Sequence, residues 1–344
     1  MSPFLEVEDL QVRFRTEDGV VRACDGVSLD VDKGETLAIV GESGSGKSVT
    51  SAAIMGLHNR RRAEITGSIR LDGEELITAS DSRLRELRGK RMAMIFQDPL
   101  SSLHPFYKIG RQLVEAALVH QDISRSAARA RAVEMLKRVG IPNAERRVDE
   151  YPHQLSGGMR QRVMIAMALI NDPDLIIADE PTTALDVTVQ AQVVDLLKSL
   201  QAEFGTAIIL ITHDLGVVAE TADNVAVMYG GRVVERAPVR EIFHDPKMPY
   251  TWGLLSSLPR LDEAHAERLL PIPGQPPSLI NLPQGCVFRP RCQYHQFVPG
   301  NLCDTVRPEL DENAPGHFAR CHLTPAQKDE LAAARLATHA KEGA

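Results

Sequence analysis

The chain predicts an α/β domain built on a mostly parallel core sheet, with an inserted helical part and a small cysteine-containing C-terminal domain. Three observations carry that expectation. Short apolar strands alternate with helical patterns through the first two thirds of the chain. Strand signals vanish between about 98 and 150, where helical spacing takes over. After about 236 prolines recur, and four of the five cysteines gather beyond residue 285.

The N-terminal elements read as strands around Leu10, Val12 and Phe14, around Val27, Leu29 and Val31, and over "TLAIV" at 36–40, separated by Asp-Gly and Lys-Gly turns. "TLAIV" runs directly into "GESGSGKS" at 41–48, and "SVTSAAIMGL" then reads as a helix. A strand, a G-x-x-x-x-G-K-[ST] loop and a helix in that order form a credible nucleotide site. Backbone N–H groups around Gly44, Ser45 and Gly46, in the loop that opens with Gly41 and Ser43, are expected to wrap a β-phosphate. Lys47 is expected to neutralise β- and γ-oxygens, and Ser48 to ligate Mg²⁺.

"RQLVEAALVH" and "AARARAVEMLKRVG" carry helical spacing up to the Gly140 stop, giving a helical subdomain at about 98–160. "LSGGMRQR" at 155–162 places Ser156, Gly157 and Gly158 before an apolar helix, a second phosphate-sized seat. "DLIIADE" at 174–180 reads as a buried parallel strand ending in two acids. Asp179 is the expected holder of the metal's water shell, and Glu180 the base on an attacking water. A surface carboxylate is the bland alternative for Glu180. Gln97, after the apolar strand of "IFQDP", is placed to touch both Mg²⁺ and the water, and His213, after "AIILIT", to reach the γ-phosphate. Each would look the same as an ordinary strand-end residue. Phe14 reads equally well as an adenine-stacking ring or as a core residue beside Leu10 and Val12.

The order GESGSGKS, Gln97, LSGGMRQ, LIIADEP, "ALD" at 184–186 and His213 closely resembles that of the ATP-binding cassette (ABC) ATPases over roughly residues 5–255. The resemblance implies a P-loop ATPase fold with an antiparallel β subdomain beside the parallel core. It also implies that two cassettes dimerise head to tail, so that Ser156, Gly157 and Gly158 seat the γ-phosphate of a partner's ATP and Asp186 lies at the dimer interface. "QDPLSSLHPFYKIGRQL", "FHDPKMPYTWGLLSSLPRL", "IPGQPPSL" and "GCVFRPRC" further resemble the ATPase subunits of dipeptide and oligopeptide permeases and their nickel-importing relatives. Two departures are His104, where the relatives usually have Asn, and Met248, where they usually have His. That subfamily implies a second ATPase subunit, with a heterodimer expected, two transmembrane permease subunits, and an extracytoplasmic substrate-binding protein. The implied place is the cytoplasmic face of the inner membrane.

The division expected is a cassette over 1–258, a C-terminal domain over 259–323 and a tail over 324–344, either a solvent helix or disordered. Cys286, Cys292, Cys303 and Cys321, spaced C-x5-C-x10-C-x17-C, read as a metal site in a strand-poor region, while Cys24 reads as a buried small residue. Spacing leaves tetrahedral zinc, an iron–sulfur cluster and metal-free thiols open, with His295, His317 and His322 as substitute ligands. The permease resemblance favours a 4Fe-4S cluster in a structural role. A net charge of -7 offers no general basic surface, so no nucleic-acid partner is expected, which weighs against a soluble cassette acting on ribosomes or DNA. A small-molecule phosphotransferase would leave LSGGMRQ unexplained. No apolar run approaches the ~18–20 residues of a membrane span, and the acidic N-terminus lacks a signal-peptide pattern, so a cytoplasmic location is expected.

Overall fold

Alternating burial along the first two strands sets the architecture. In the computed structural model, β1 (Leu5–Thr16) and β2 (Gly19–Val31) turn apolar residues such as Leu10, Val12, Val27 and Leu29 inward and polar ones outward. The structure describes residues 3–98, 102–182, 187–257 and 272–332. With β4 (Ala63–Leu71) and β5 (Glu74–Glu75) these strands form a four-stranded antiparallel sheet ordered β2-β1-β4-β5.

The second sheet is built from strands with no polar face. β3 (Thr36–Val40), β7 (Leu175–Asp179) and β8 (Ala207–Ile211) are buried at every position, the pattern of parallel strands covered on both sides. With β6 (Met92–Ile95), β9 (Asn224–Tyr229), β10 (Arg232–Pro238), β11 (Asp311–Ala314) and β12 (His317–Ala319) they make an eight-stranded sheet ordered β11-β12-β10-β9-β3-β8-β7-β6. Neighbours from β9 to β6 pair in parallel, and β10, β12 and β11 add antiparallel pairings at one edge.

Helices Ile109–Leu118, Arg125–Arg138 and Gly157–Leu169 supply the helical part. Their buried residues, among them Leu113, Leu136 and Val163, share one apolar cluster with Ile176 of β7 and Ile208 of β8. Residue 160, the expected end of the helical subdomain, falls inside the helix Gly157–Leu169, whose buried residues share an apolar cluster with β7 and β8.

The C-terminal region departs from its strand-poor reading. β11 and β12 extend the main sheet, with Glu235 and Arg236 of β10 opposite Ala319 and Phe318 of β12. Strands of three or four residues are too short to show a period-2 pattern. Among the described residues, Phe288, Cys303 and Leu323 of this region lie in one apolar cluster with Val40 of β3 and Val227 of β9. Residues 325–332, expected at the start of the tail, are helical, and Lys328 is buried there with its Nζ 2.5 Å from Asn313 Oδ1. That lysine is paired rather than solvated. Among the described residues no helix is long and apolar enough to cross a membrane.

Candidate nucleotide site

The phosphate loop sits between the end of β3 and the helix Lys47–Ile54, at the carboxyl edge of the parallel strands. Its backbone is possible only with glycine at two tight points. Gly41 has φ 151° and a Cβ there would stand 2.2 Å from the Met228 carbonyl oxygen; at Gly46, φ 106°, it would stand 2.5 Å from that of Ala23. A side chain at either would push the loop off the sheet. Ser45 N bonds Glu42 O at 3.2 Å, and Gly231 N bonds Ser45 O at 3.0 Å, which closes the curl. The Ser45 hydroxyl is buried with no hydrogen-bond partner among the described residues, a polar atom available to a phosphate oxygen. Ser43 and Gly44 are exposed at the loop's crest.

Lys47 is buried and donates to Gly41 O at 2.8 Å and Glu42 O at 3.0 Å. Burial pulls its pKa down, and the negative charges of Glu180, Asp179 and Glu42 oppose that pull. Asp179 shifts the other way: burial raises its pKa, its bond from Ser48 lowers it, and the neighbouring Glu180 charge raises it further. Both shifts have the sense that a bound polyphosphate and cation reverse. Ser48 Oγ lies 3.2 Å from Asp179 Oδ1, so a hydroxyl and a carboxylate converge where a hard cation would be held. Two hard oxygen donors beside a phosphate seat fit magnesium, which binds through few protein ligands plus phosphate oxygens.

Glu180 follows β7 in the left-handed region, φ 48°, and its N–H bonds Ile211 O at 2.8 Å. Such a backbone conformation is uncommon for a non-glycine residue. Gln97 Nε2 donates to Glu180 Oε2 at 3.2 Å, and His213 Nδ1 lies 3.5 Å from the same oxygen. The ends of β6, β7 and β8 thus bring the three side chains together. One carboxylate oxygen is their meeting point.

Phe14 is half-buried, packed on the core of the antiparallel sheet, and meets the His58 ring edge-on at 5.4 Å. His58 Nε2 contacts Val49 O at 2.9 Å, which ties Phe14 to the helix after the phosphate loop. Ser156 caps the helix Gly157–Leu169, accepting from Met159 N at 3.3 Å. Ser156 and Gly157 are exposed, and a Cβ on Gly157 would meet nothing within 4 Å, whereas one on Gly158 would strike Val189 at 2.8 Å. Among the described residues nothing occupies the face of that helix end at Gly157. Asp186 lies outside the described residues.

Glu42 and its partners Arg291 and Tyr250 escaped the sequence reading. Glu42, visible as an acid inside a loop meant for anions, is held bidentately by Arg291 at 2.5 and 3.0 Å, and its N–H donates to Tyr250 Oη at 2.9 Å. The odd charge within GESGSGKS was the available signal.

Cys286, Cys292, Cys303 and Cys321 line one pocket together with Met248, His295 and His322. Burial is the main cause holding each thiol above its ordinary pKa, Cys286 and Cys292 at about 12, and the other cysteines add to the rise for Cys286, Cys292 and Cys303. His317 does not face this pocket; it is buried and bonded to Glu235 Oε1 at 2.7 Å. Among the described residues no group of three or more His, Cys, Asp or Glu is arranged to hold a single metal ion. The four thiols thus line one pocket without forming a metal-binding group among the described residues. Cys24 is buried apart from them, 3.3 Å from Thr50 Oγ1, with its pKa raised to about 11 by burial. Of the two departures, Met248 is a buried wall of the thiol pocket and His104 stacks on Tyr107 at 4.4 Å.

A family profile described as ABC transporter matches residues 24–183, and one described as oligopeptide/dipeptide transporter, C-terminal region, matches 234–297. The oligopeptide transport ATP-binding protein OppD of Haemophilus influenzae is 52% identical over 324 residues, 94% of this chain and 98% of its own length. OppD of Mycobacterium tuberculosis is 53% identical over 325 residues, and the chain spans 52% of that relative's length. Among solved structures, the dimeric post-hydrolysis ATP-binding cassette MJ0796, bound to ADP and Pi, aligns with a TM-score of 0.62 at 29% identity, covering 69% of this chain and 99% of that one. The chain therefore belongs to the ABC transporter family, among the oligopeptide transport ATP-binding proteins.

Proposed function

We propose that this chain hydrolyses ATP to power import of di- and oligopeptides by a binding-protein-dependent transporter. The observation that carries the reading is one chain holding both the assembled nucleotide site and the C-terminal region matched at 234–297. Lys47 and the loop N–H groups bind the phosphates, and Ser48, Asp179 and Gln97 hold the Mg²⁺ end of the nucleotide. Magnesium, when bound, neutralises phosphate charge. Glu180, oriented by Gln97 and His213, takes a proton from water as its oxygen bonds the γ-phosphorus; the bond to the β-bridging oxygen breaks and ADP leaves.

Ser156, Gly157 and Gly158 seat the γ-phosphate of a second ATPase subunit, with Asp186 at that interface and a heterodimer the favoured arrangement. Two transmembrane permease subunits and an extracytoplasmic substrate-binding protein complete the assembly, and the chain works at the cytoplasmic face of the inner membrane. Phe14 offers its half-exposed ring to adenine. The four C-terminal thiols would hold a 4Fe-4S cluster as a structural staple, a reading supported by their shared lining of one pocket. When bound, the cluster cross-links segments that have little regular structure.

Uptake of labelled di- and oligopeptides, with nickel in parallel, tests the reading in cells carrying the native chain or Glu180→Gln. Loss of peptide uptake alone supports it. Peptide uptake that persists, or loss of nickel uptake instead, overturns the cargo assignment.

A further inference from the structure

Glu42 is the second residue of the phosphate loop, and each of its polar groups is engaged. Its N–H donates to Tyr250 Oη at 2.9 Å, its carbonyl accepts from Lys47 Nζ at 3.0 Å and Ser45 N at 3.2 Å, and its carboxylate receives both arms of Arg291. Arg291 comes from the C-terminal region, 249 residues away in sequence. Its side chain is only 3% exposed. The guanidinium also donates to Pro273 O and Ile272 O, each at 3.0 Å, and to Tyr229 Oη at 3.3 Å, so its direction is set by its own segment.

A carboxylate in a loop that receives a polyphosphate is an electrostatic liability, because like charges a few ångströms apart repel strongly where water is scarce. Glu42 is close enough for its charge to act on Lys47. A fixed bidentate guanidinium cancels that charge and holds the carboxylate against the C-terminal segment. The segment has a second attachment at the same junction. Tyr229, Tyr250 and Phe288 form their own ring cluster across the same junction, with centroids 4.5 to 5.4 Å apart.

We infer that Arg291 is a positioning residue of the nucleotide site: by neutralising and fixing Glu42, it makes the loop's affinity for ATP depend on the C-terminal region. This rests on the reading that residues 41–48 seat the phosphates of ATP. Arg291 touches no phosphate itself. It acts through one side chain of the loop.

The test is titration of the full-length chain with a fluorescent ATP analogue and Mg²⁺, comparing native protein with Arg291→Ala, Arg291→Lys, Arg291→Ala/Glu42→Gln and Lys47→Ala, with thermal melts of each. Arg291→Ala is expected to weaken binding about tenfold or more. Arg291→Lys is expected to recover only part, since an ammonium lacks the planar fork. The double variant is expected to return to within about threefold of native, because the stranded carboxylate is gone. Should Arg291→Ala fail to fold, Glu42→Gln in the Arg291→Lys background carries the same comparison. Native affinity in Arg291→Ala beside lost binding in Lys47→Ala overturns the inference and leaves the site standing. Weakening that Glu42→Gln does not relieve also overturns it, by reducing Arg291 to a structural tie. Native affinity in Lys47→Ala would instead remove the loop assignment, and the inference with it.

Discussion

The nucleotide site and the thiol pocket are built in opposite ways. In the first, polar groups stand at the ends of parallel strands and are already paired, Ser48 with Asp179 and Gln97 with Glu180, each at 3.2 Å. In the second, four thiols from a region of short turns share one pocket without forming a single-ion site, and burial keeps them above their ordinary pKa. A rigid sheet edge can pre-arrange a site before its ligand arrives. The thiol pocket is instead held by apolar packing, with Cys286 and Cys303 in one cluster with Val40 and Val227. The two regions are joined by Arg291, which stands beside Cys292 and holds Glu42 of the phosphate loop.

That contrast is open to attack from both sides. Lys47→Ala should have the largest effect, lowering kcat/KM for ATP by about 10³ in a phosphate-release assay, because nothing else within the loop supplies its charge. Loss below tenfold would mean the sheet edge is less committed than its geometry implies. Arg232→Met should come next, costing about 3–5 kcal/mol in denaturant melts. It removes the more buried of the two guanidinium partners of Asp25, a buried carboxylate that Arg232 and Arg307 pair across β2, β10 and the C-terminal region.

The same pair has a pH signature. Burial pushes the Asp25 pKa up, but the hydrogen bond and charge of Arg232 outweigh it and bring it below 3.8. A lowered carboxylate pKa contributes stability that is present above the ordinary value and lost as pH falls through the folded one. The stability gap between native protein and Asp25→Asn should therefore hold at neutral pH and close below pH 3.8. A gap unchanged in acid melts would contradict the pairing.

Cys303→Ser should remove iron from anaerobically purified protein while ATPase activity falls by less than about tenfold, as expected of a staple remote from the chemistry. Native protein with neither iron nor zinc would end the metal reading. Phe14→Ala should have the smallest effect, raising KM for ATP about fivefold with kcat kept, on the scale of one lost ring contact. An unchanged KM would return Phe14 to the core.

What could be read in advance followed the same division. GESGSGKS was legible because a phosphate loop is one contiguous stretch whose glycines answer local backbone demands, as at Gly41 and Gly46. The buried strands around "TLAIV" and "LIIAD" were legible from their unbroken apolar runs. Gln97, Glu180 and His213 were placed at the site by their positions after apolar strands, but the contact of Gln97 with Glu180 spans 83 residues and no local pattern encodes it. β11 and β12 were too short to carry a period, and their partner β10 lies far back in the chain. Glu42 with Arg291 and Asp25 with Arg232 join positions more than 200 residues apart, and such ion pairs leave no spacing to recognise.

The most direct measurement is ATP binding and hydrolysis by Glu180→Gln beside the native chain. The expected result is native nucleotide affinity with hydrolysis reduced about 10²–10⁴-fold, because the amide keeps the shape of the site and cannot accept the water's proton. Hydrolysis at the native rate would contradict the central claim that Glu180, at the end of β7, is the base around which this motor is built.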